Sequence, residues 1–345
     1  MSSVKLVGRS TIRVGPVSIV VRHRPAIVAA ALSVVLLVVV IVALCVGGTY
    51  VTAADVLATL TGAETGYERL INVLRLPRTL LAVAAGAAFG LAGALIQSVA
   101  RNPLASPDII GVTQGAGLAA TIALTAGLGF GVLAPLSLAG GLLAAVLVIW
   151  VGSKHGLAAQ RFVLAGIAIA VIIKSFTQII MLAAPAIDAQ RAQIWLVGTF
   201  AGRGWDEIAM IGAALLIALP FLLWASKATD TTALDDDTAR GLGVRVTARR
   251  VVLAIIGVVL ASVATANVGA IEFVALVAPQ LARRLTRTER PPLWSAALAG
   301  AILAVLADWL GRTAFGSYQL PAGVLTAAIG GPYLIFLLLT RRKAS

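Results

Sequence analysis

The chain has 345 residues, of which 60% are hydrophobic and only 12% charged, and a formal net charge of +13. Soluble domains carry about 25% charged residues, so this composition, with a mean hydropathy of +1.00, excludes a soluble enzyme or binding module and predicts an all-α polytopic membrane protein. The positive charge does not predict nucleic-acid binding, because the basic residues come in short clusters between apolar runs without interleaved aromatics, as topological flanks do.

Residues 1–26 are polar and basic (Lys5, Arg9, Arg13, Arg22, Arg24) and read as a mobile cytoplasmic segment. The first apolar run, 27–46, is the first expected span. It ends near Cys45, whose solitude excludes an internal disulfide or a thiolate metal cage. Leu44 is too large for a lipoprotein processing site, and the run is longer than a signal-peptide core, so neither is expected. Residues 47–74 form a polar outer segment with Asp55, Glu64, Glu68 and Arg69, with room for a short amphipathic helix. The second span, 79–98, lies in an uncharged stretch (79–100) where Gly86 and Gly90 stand four apart. One helix face is then nearly bare backbone, suited to close packing inside a bundle.

Spans three and four are expected at 109–127 and 133–151, around the turn LGFGVLAP. The fifth, 162–183, contains Lys174. A polar outer segment, 185–207, carries Trp195 and Trp205, placed as interfacial aromatics. The sixth span is 208–225, and a charged interval, 227–250, follows. Spans seven to ten are expected at 251–268, 270–285, 293–311 and 322–339, with a basic tail at 341–345. The whole of 27–340 is one ten-helix domain. Twenty of the 27 lysines and arginines then fall on one side and six on the other, with Lys174 inside a span. By the positive-inside rule this predicts both termini in the cytoplasm.

No nucleotide-binding loop, H-E-x-x-H motif, metal-ligand set or nucleophile constellation is present; the two histidines, His23 and His155, lie in cytoplasmic flanks. The chain is therefore not expected to be an enzyme or to hold a cofactor. The most unusual stretch is ALDDDTARGLGVRV (233–246). Asp235, Asp236 and Asp237 favour a helix start through the backbone N–H groups and the dipole, and Gly241 and Gly243 would end it after little more than a turn. Such a knob is either gripped by another protein or is a solvated loop whose charges set topology.

Seven stretches resemble, in order, the permease subunit of bacterial ABC importers for iron-siderophores and cobalamin, the FecCD/BtuC type. They are LRLPR (74–78), GAAFGLAGALIQ (86–97), RNPLASPDIIGVTQGA (101–116), DDDTARGLGV (235–244), GAIEFVALVAPQLAR (269–283), ADWLGR (307–312) and LPAGVLTAAIGGP (320–332). The resemblance implies a BtuC-like, type II importer fold with two permease subunits, identical or paralogous, around one path. It also implies two ABC ATPase subunits, which bind ATP and magnesium, and a periplasmic or lipid-anchored binding protein. Leu234, Asp235, Asp236, Asp237, Thr238, Ala239, Arg240, Gly241, Leu242 and Gly243 would then form the ATPase-coupling element. Arg75, Arg78 and Arg312 would meet acidic residues of the binding protein, although Asp308 and Arg312 are also spaced as an i,i+4 helix pair.

Departures from the family pattern are Gln280 where histidine is usual, Gln319 where glutamate is usual, and Glu272 where a small residue is usual. Lys174 is near mid-membrane, where ionisable residues mark function. It is assigned with Gln97 and Gln114 to the translocation path, where a cation would favour an anionic ferric chelate. An inter-helix hydrogen bond or a subunit contact is the other account of it. The expected cargo is a ferric siderophore, with haem or cobalamin as alternatives. An ion-coupled carrier would need mid-membrane acids near broken helices, and Asp308 and Glu272 are both expected near the outer edge.

Overall fold

The computed structural model describes residues 9–14, 17–153, 159–231, 236–241, 243–316 and 318–341. Its elements are β1 (Arg9–Val14), β2 (Val17–Arg22), α1 (His23–Cys45), α2 (Ala53–Leu60), α3 (Leu76–Ala100), α4 (Val112–Thr125), α5 (Phe130–Ser153), α6 (Ala159–Ala183), α7 (Ala186–Val197), α8 (Trp205–Thr231), α9 (Asp236–Gly241), α10 (Val246–Val268), α11 (Val274–Thr286), α12 (Leu293–Thr313) and α13 (Ala322–Arg341).

Among the described residues, α1, α3, α5, α6, α8, α10 and α12 are long and apolar enough to cross a bilayer, and α4 and α13 carry shorter apolar stretches. With α11 they make the ten-helix pattern. α1 is rich in valine and isoleucine yet helical throughout. In lipid every backbone N–H and C=O needs an internal partner, and that requirement overrides the modest β preference of branched side chains. α4 and α11 have 14 and 13 residues, about 20 Å of helix, less than the hydrocarbon thickness of about 30 Å. Each is preceded by irregular backbone, the turn Pro107–Ile110 with Gly111 before α4 and residues 269–273 before α11. Such backbone survives at depth only when protein surrounds it.

α3 is the axis. Its span is 78% buried and that of α10 72%, against 17% for each of α1, α6 and α8. α3 packs on α12, α10, α11 and α8. Where it crosses α12, Gly86, Gly90 and Gly300 bring the backbones together, and a Cβ on any of them would strike the facing main chain. The rest of the core is built of small residues with Leu81, Phe89, Leu95, Leu253 and Leu260 wedged between them.

Two expectations need correction. The N-terminal segment carries an antiparallel hairpin, with Arg9 opposite Arg22 and Val14 opposite Val17. Its run of Thr11, Ile12, Val14, Val17, Ile19, Val20 and Val21 is strand-forming, and the net charge concealed it. The second span begins earlier than its apolar run, because a π-helical turn at Arg69–Arg75 leads straight into α3. Spans seven and eight are, as expected, separate helices, divided by a turn in which Gly269 and Phe273 have positive φ.

Candidate functional site

A cleft of about 620 Å³ opens between α4, α6, α7 and the turn before α11. Thr113 and Gln114 reach it from the first turn of α4, Lys174, Thr177 and Gln178 from α6, Gln193 from α7, and Glu272 from the turn. Lys174 lies ten residues into the apolar window Leu164–Ala183, about 15 Å along it. A lysine at that depth costs about 2.5–3.5 kcal/mol on insertion scales. Among the described residues no ion pair or hydrogen bond engages the Lys174 ammonium.

Lys174 and Gln114 are thus brought together, and the third path candidate is not. Gln97 is 4% exposed. Its Nε2 donates to the Leu276 carbonyl at 3.1 Å, and its Oε1 accepts from Gln280 Nε2 at 2.5 Å. Gln280 Nε2 also donates to the Pro103 carbonyl at 3.1 Å. Gln97 is a structural tie between α3, α11 and the Asn102–Pro103 turn, because non-helical carbonyls at depth need donors. Glu272, expected near the outer surface, lines the same cleft as Lys174.

The cleft wall is anchored through backbone. Thr199 N donates to the Val268 carbonyl at 2.9 Å and Gly323 N to the Gly198 carbonyl at 3.1 Å. A Cβ at Gly198, Gly269 or Gly323 would meet backbone of the neighbouring segment. Three chain turns therefore touch main chain to main chain beside Gln193 and Glu272.

The outer arginines turn inward. α1 ends in VALCVGGT, which offers no side chain to cap its last carbonyls, and a helix leaves four of these unpaired. Arg75 supplies most of the donors, with Nη1 giving to the Leu44 and Cys45 carbonyls at 2.6 and 3.1 Å and Nη2 to Thr49 at 2.5 Å. Arg312 Nη2 donates to the Ala43 carbonyl, and Trp309 Nε1 to Val46 at 3.2 Å. Arg78 forms a fork with Asp308, at 2.8 and 2.9 Å, and Asp308 also lies 3.8 Å from Arg312. Arg75, at 4% exposure, therefore clamps the end of α1 in this state. Arg78 and Arg312 are paired within the chain in this state. Outside the spans, Glu68 accepts the Thr65 and Gly66 N–H groups at 2.5 and 2.9 Å. The backbone N–H of Glu68 itself, with those of Thr65 and Gly66, holds its carboxyl below the usual glutamate range.

In the charged interval the described residues form the six-residue helix α9, Asp236–Gly241. Gly243 follows with a φ of 76°, a conformation suited to glycine. Ala239 is fully buried and its carbonyl accepts Val244 N at 3.0 Å, while Thr238 and Gly241 face outward. Leu234, Asp235 and Leu242 lie outside the described residues.

A sequence profile of the FecCD transport family matches residues 35–340. The chain belongs to that family. The Fe(3+)-citrate import system permease protein YfmE of Bacillus subtilis is 38% identical over 320 residues, 92% of this chain and 96% of that one. The ferric enterobactin transport system permease protein FepG of Escherichia coli is 36% identical over 302 residues, 86% and 91% of the two chains. Among solved structures, a transporter described as of the metal-chelate ABC type, in an inward-facing conformation, superposes with a TM-score of 0.79 at 24% identity. That match covers 91% of this chain and 99% of the other. The shared fold is that of a multi-pass membrane transport subunit. Sequence reasoning found Lys174 and Gln114 of this FecCD cleft but missed Thr177, Gln178 and Gln193. Thr177 and Gln178 were findable, being three and four residues from Lys174 and so on its helix face. Gln193, on a separate helix, left no such signal.

Proposed function

We propose that this chain is the permease subunit of an ATP-binding-cassette importer that moves a ferric chelate of the siderophore or citrate class into a bacterial cytoplasm. The observation that carries the proposal is the cleft. In a bundle otherwise filled with alanine, glycine, leucine and valine, one space at mid-depth collects a lysine, three glutamines, two threonines and a glutamate. The named cargoes of its relatives, Fe(3+)-citrate and ferric enterobactin, supply the chemical class. The energy source is a pair of partner ATPases, and a second permease subunit completes the path. A binding protein delivers the cargo to the outer face, and the positive-inside bias orients both termini to the cytoplasm. α9 is the coupling element, short, outward-facing at Thr238 and tied through the Ala239 carbonyl to Val244, just before α10. ATPase closure is passed through it to the bundle as a rigid displacement.

The test is ligand-stimulated ATP hydrolysis in proteoliposomes holding this chain, its ATPase and its binding protein, with ferric citrate, a ferric tris-catecholate, haem and cobalamin compared. An Arg240→Ala, Gly241→Pro double variant in α9 is the control. Stimulation by an iron chelate, lost in the control, is the expected result. Stimulation by haem or cobalamin alone would reassign the cargo. Uptake driven by an ion gradient with no associated ATPase would replace the whole reading with a secondary carrier.

A further inference from the structure

α6 is two-faced where it borders the cleft. Ile172, Phe176 and Ile179 are exposed on one side, and Lys174, Thr177, Gln178 and Met181 line the cleft. At 3.6 residues per turn these two stripes stand on roughly opposite faces of the helix. The lysine is therefore part of a polar stripe aimed into the space between elements, and its chain does not lie along the apolar face. Across the cleft, Gln114 and Gln193 add two further amides from α4 and α7, and Glu272 adds the one carboxylate of the lining. Asp108 is engaged by the Thr113 hydroxyl and feels the Glu272 charge.

Resting on the transport reading above, we infer that this cleft sorts iron chelates by charge, with Lys174 as the specificity-determining residue and the amides of Gln114, Gln178 and Gln193 as the partners of the chelate's outer oxygens. Three hydroxamates neutralise a ferric ion and leave a neutral complex. Three catecholates, or the carboxylates of citrate, leave a net negative charge with oxygen lone pairs on its surface. A lysine ammonium offers three donors and a point charge without geometric demand, and amide N–H groups serve the same oxygens. A cation without a protein counter-ion is free to bind such an anion, whereas a paired one would first have to break its pair. Glu272 accepts only, so it repels an anionic edge and turns it toward α6. The cleft is thus a dipole across which a chelate is oriented as well as selected.

The experiment uses the full transporter complex in proteoliposomes and radioactive ferric iron presented as citrate, as a tris-catecholate and as a neutral trihydroxamate. The readout is the ratio of kcat/KM for each anionic chelate to that for the neutral one, in the wild type and in Lys174→Gln, Lys174→Arg and Lys174→Glu. Losing one charge-assisted contact should lower that ratio about tenfold in Lys174→Gln. Lys174→Arg should restore most of it, and Lys174→Glu should push it below the Gln variant. Because each variant serves as its own reference, a general loss of folding or assembly does not imitate the effect. A wild type indifferent to chelate charge, or a Lys174→Gln variant that depresses all three chelates equally, would overturn the charge-sorting role while leaving iron-chelate import intact. ATP-driven uptake of none of the three would remove the transport reading itself, and the inference with it.

Discussion

Replacing Gly90 with alanine sets two effects of opposite sign against each other, and the structure decides between them. In a helix interior the change favours folding by about 1 kcal/mol, through lower backbone entropy of the unfolded chain. At this position, however, the added methyl would overlap the carbonyl carbon and oxygen of Ala296 in α12. Overpacking a filled core costs about 1–3 kcal/mol. The upper end applies here, because the obstruction is main chain that no rotamer change can clear. α12 is also held at its far end by the Arg78–Asp308 fork. The net expectation is a loss of about 2 kcal/mol. Gly212, in α8, is the matched control: a Cβ there meets nothing within 4 Å, so only the favourable effect remains. Detergent-purified variants would be followed by tryptophan fluorescence on heating and by the monodisperse fraction surviving a heat step. Gly90→Ala should unfold at lower temperature than the wild type, and Gly212→Ala at the same temperature or higher. If both rise, α3 and α12 separate without penalty and the backbone contact does not fix their spacing.

Other perturbations test the polar ties. Asp308→Asn removes the shared acid of Arg78 and Arg312 and leaves two guanidiniums without counter-charge; a loss of about 3 kcal/mol is expected, the low end for a broken buried pair, since both arginines keep some solvent contact. Adding Arg78→Leu to Asp308→Asn should recover part of that loss in the same thermal assay, and a double variant worse than the single would contradict the pairing. Arg75→Ala removes the guanidinium donors of the Leu44, Cys45 and Thr49 carbonyls and leaves Cys45 only its bond from Val51 N, so the end of α1 should fray and the sole cysteine, buried in the native chain, should react faster with maleimide. Unchanged labelling would show that α1 is held by other contacts. Gln280→Leu strips the donor from Gln97 Oε1 and the Pro103 carbonyl, and should cost about 1–3 kcal/mol as unpaired buried acceptors do. A neutral result there would mean that water replaces the glutamine.

The spans were legible because lipid imposes a simple code: an apolar run of sufficient length must be helix, whatever its local preferences. The buried character of α3 was legible too, since a helix faced with glycine and alanine has little to offer lipid and much to offer another backbone. The fates of Arg75, Arg312 and Gln97 were not legible, because their partners are carbonyl groups, which every residue carries and no sequence pattern marks. Arg75 reads as an outward charge until the position of the α1 C-terminus is known. That Glu272 shares a cleft with Lys174 was not legible either, because the two stand on elements far apart in the chain. Lys174 was easier to read, because it interrupts a long apolar helix, along which counting residues gives a distance.

The contact of Gly198, Gly269 and Gly323 divides labour within the cleft. Its wall is fixed by main-chain atoms that tolerate no added carbon, while Lys174, Gln178 and Gln193 hang from helix faces and can be exchanged without disturbing that frame. A lineage of such proteins can therefore change what it carries by replacing one side chain at a time, each step passing through a folded intermediate. The same separation gives an engineer a practical rule: retune cargo on α6 and α7, and leave the glycines alone.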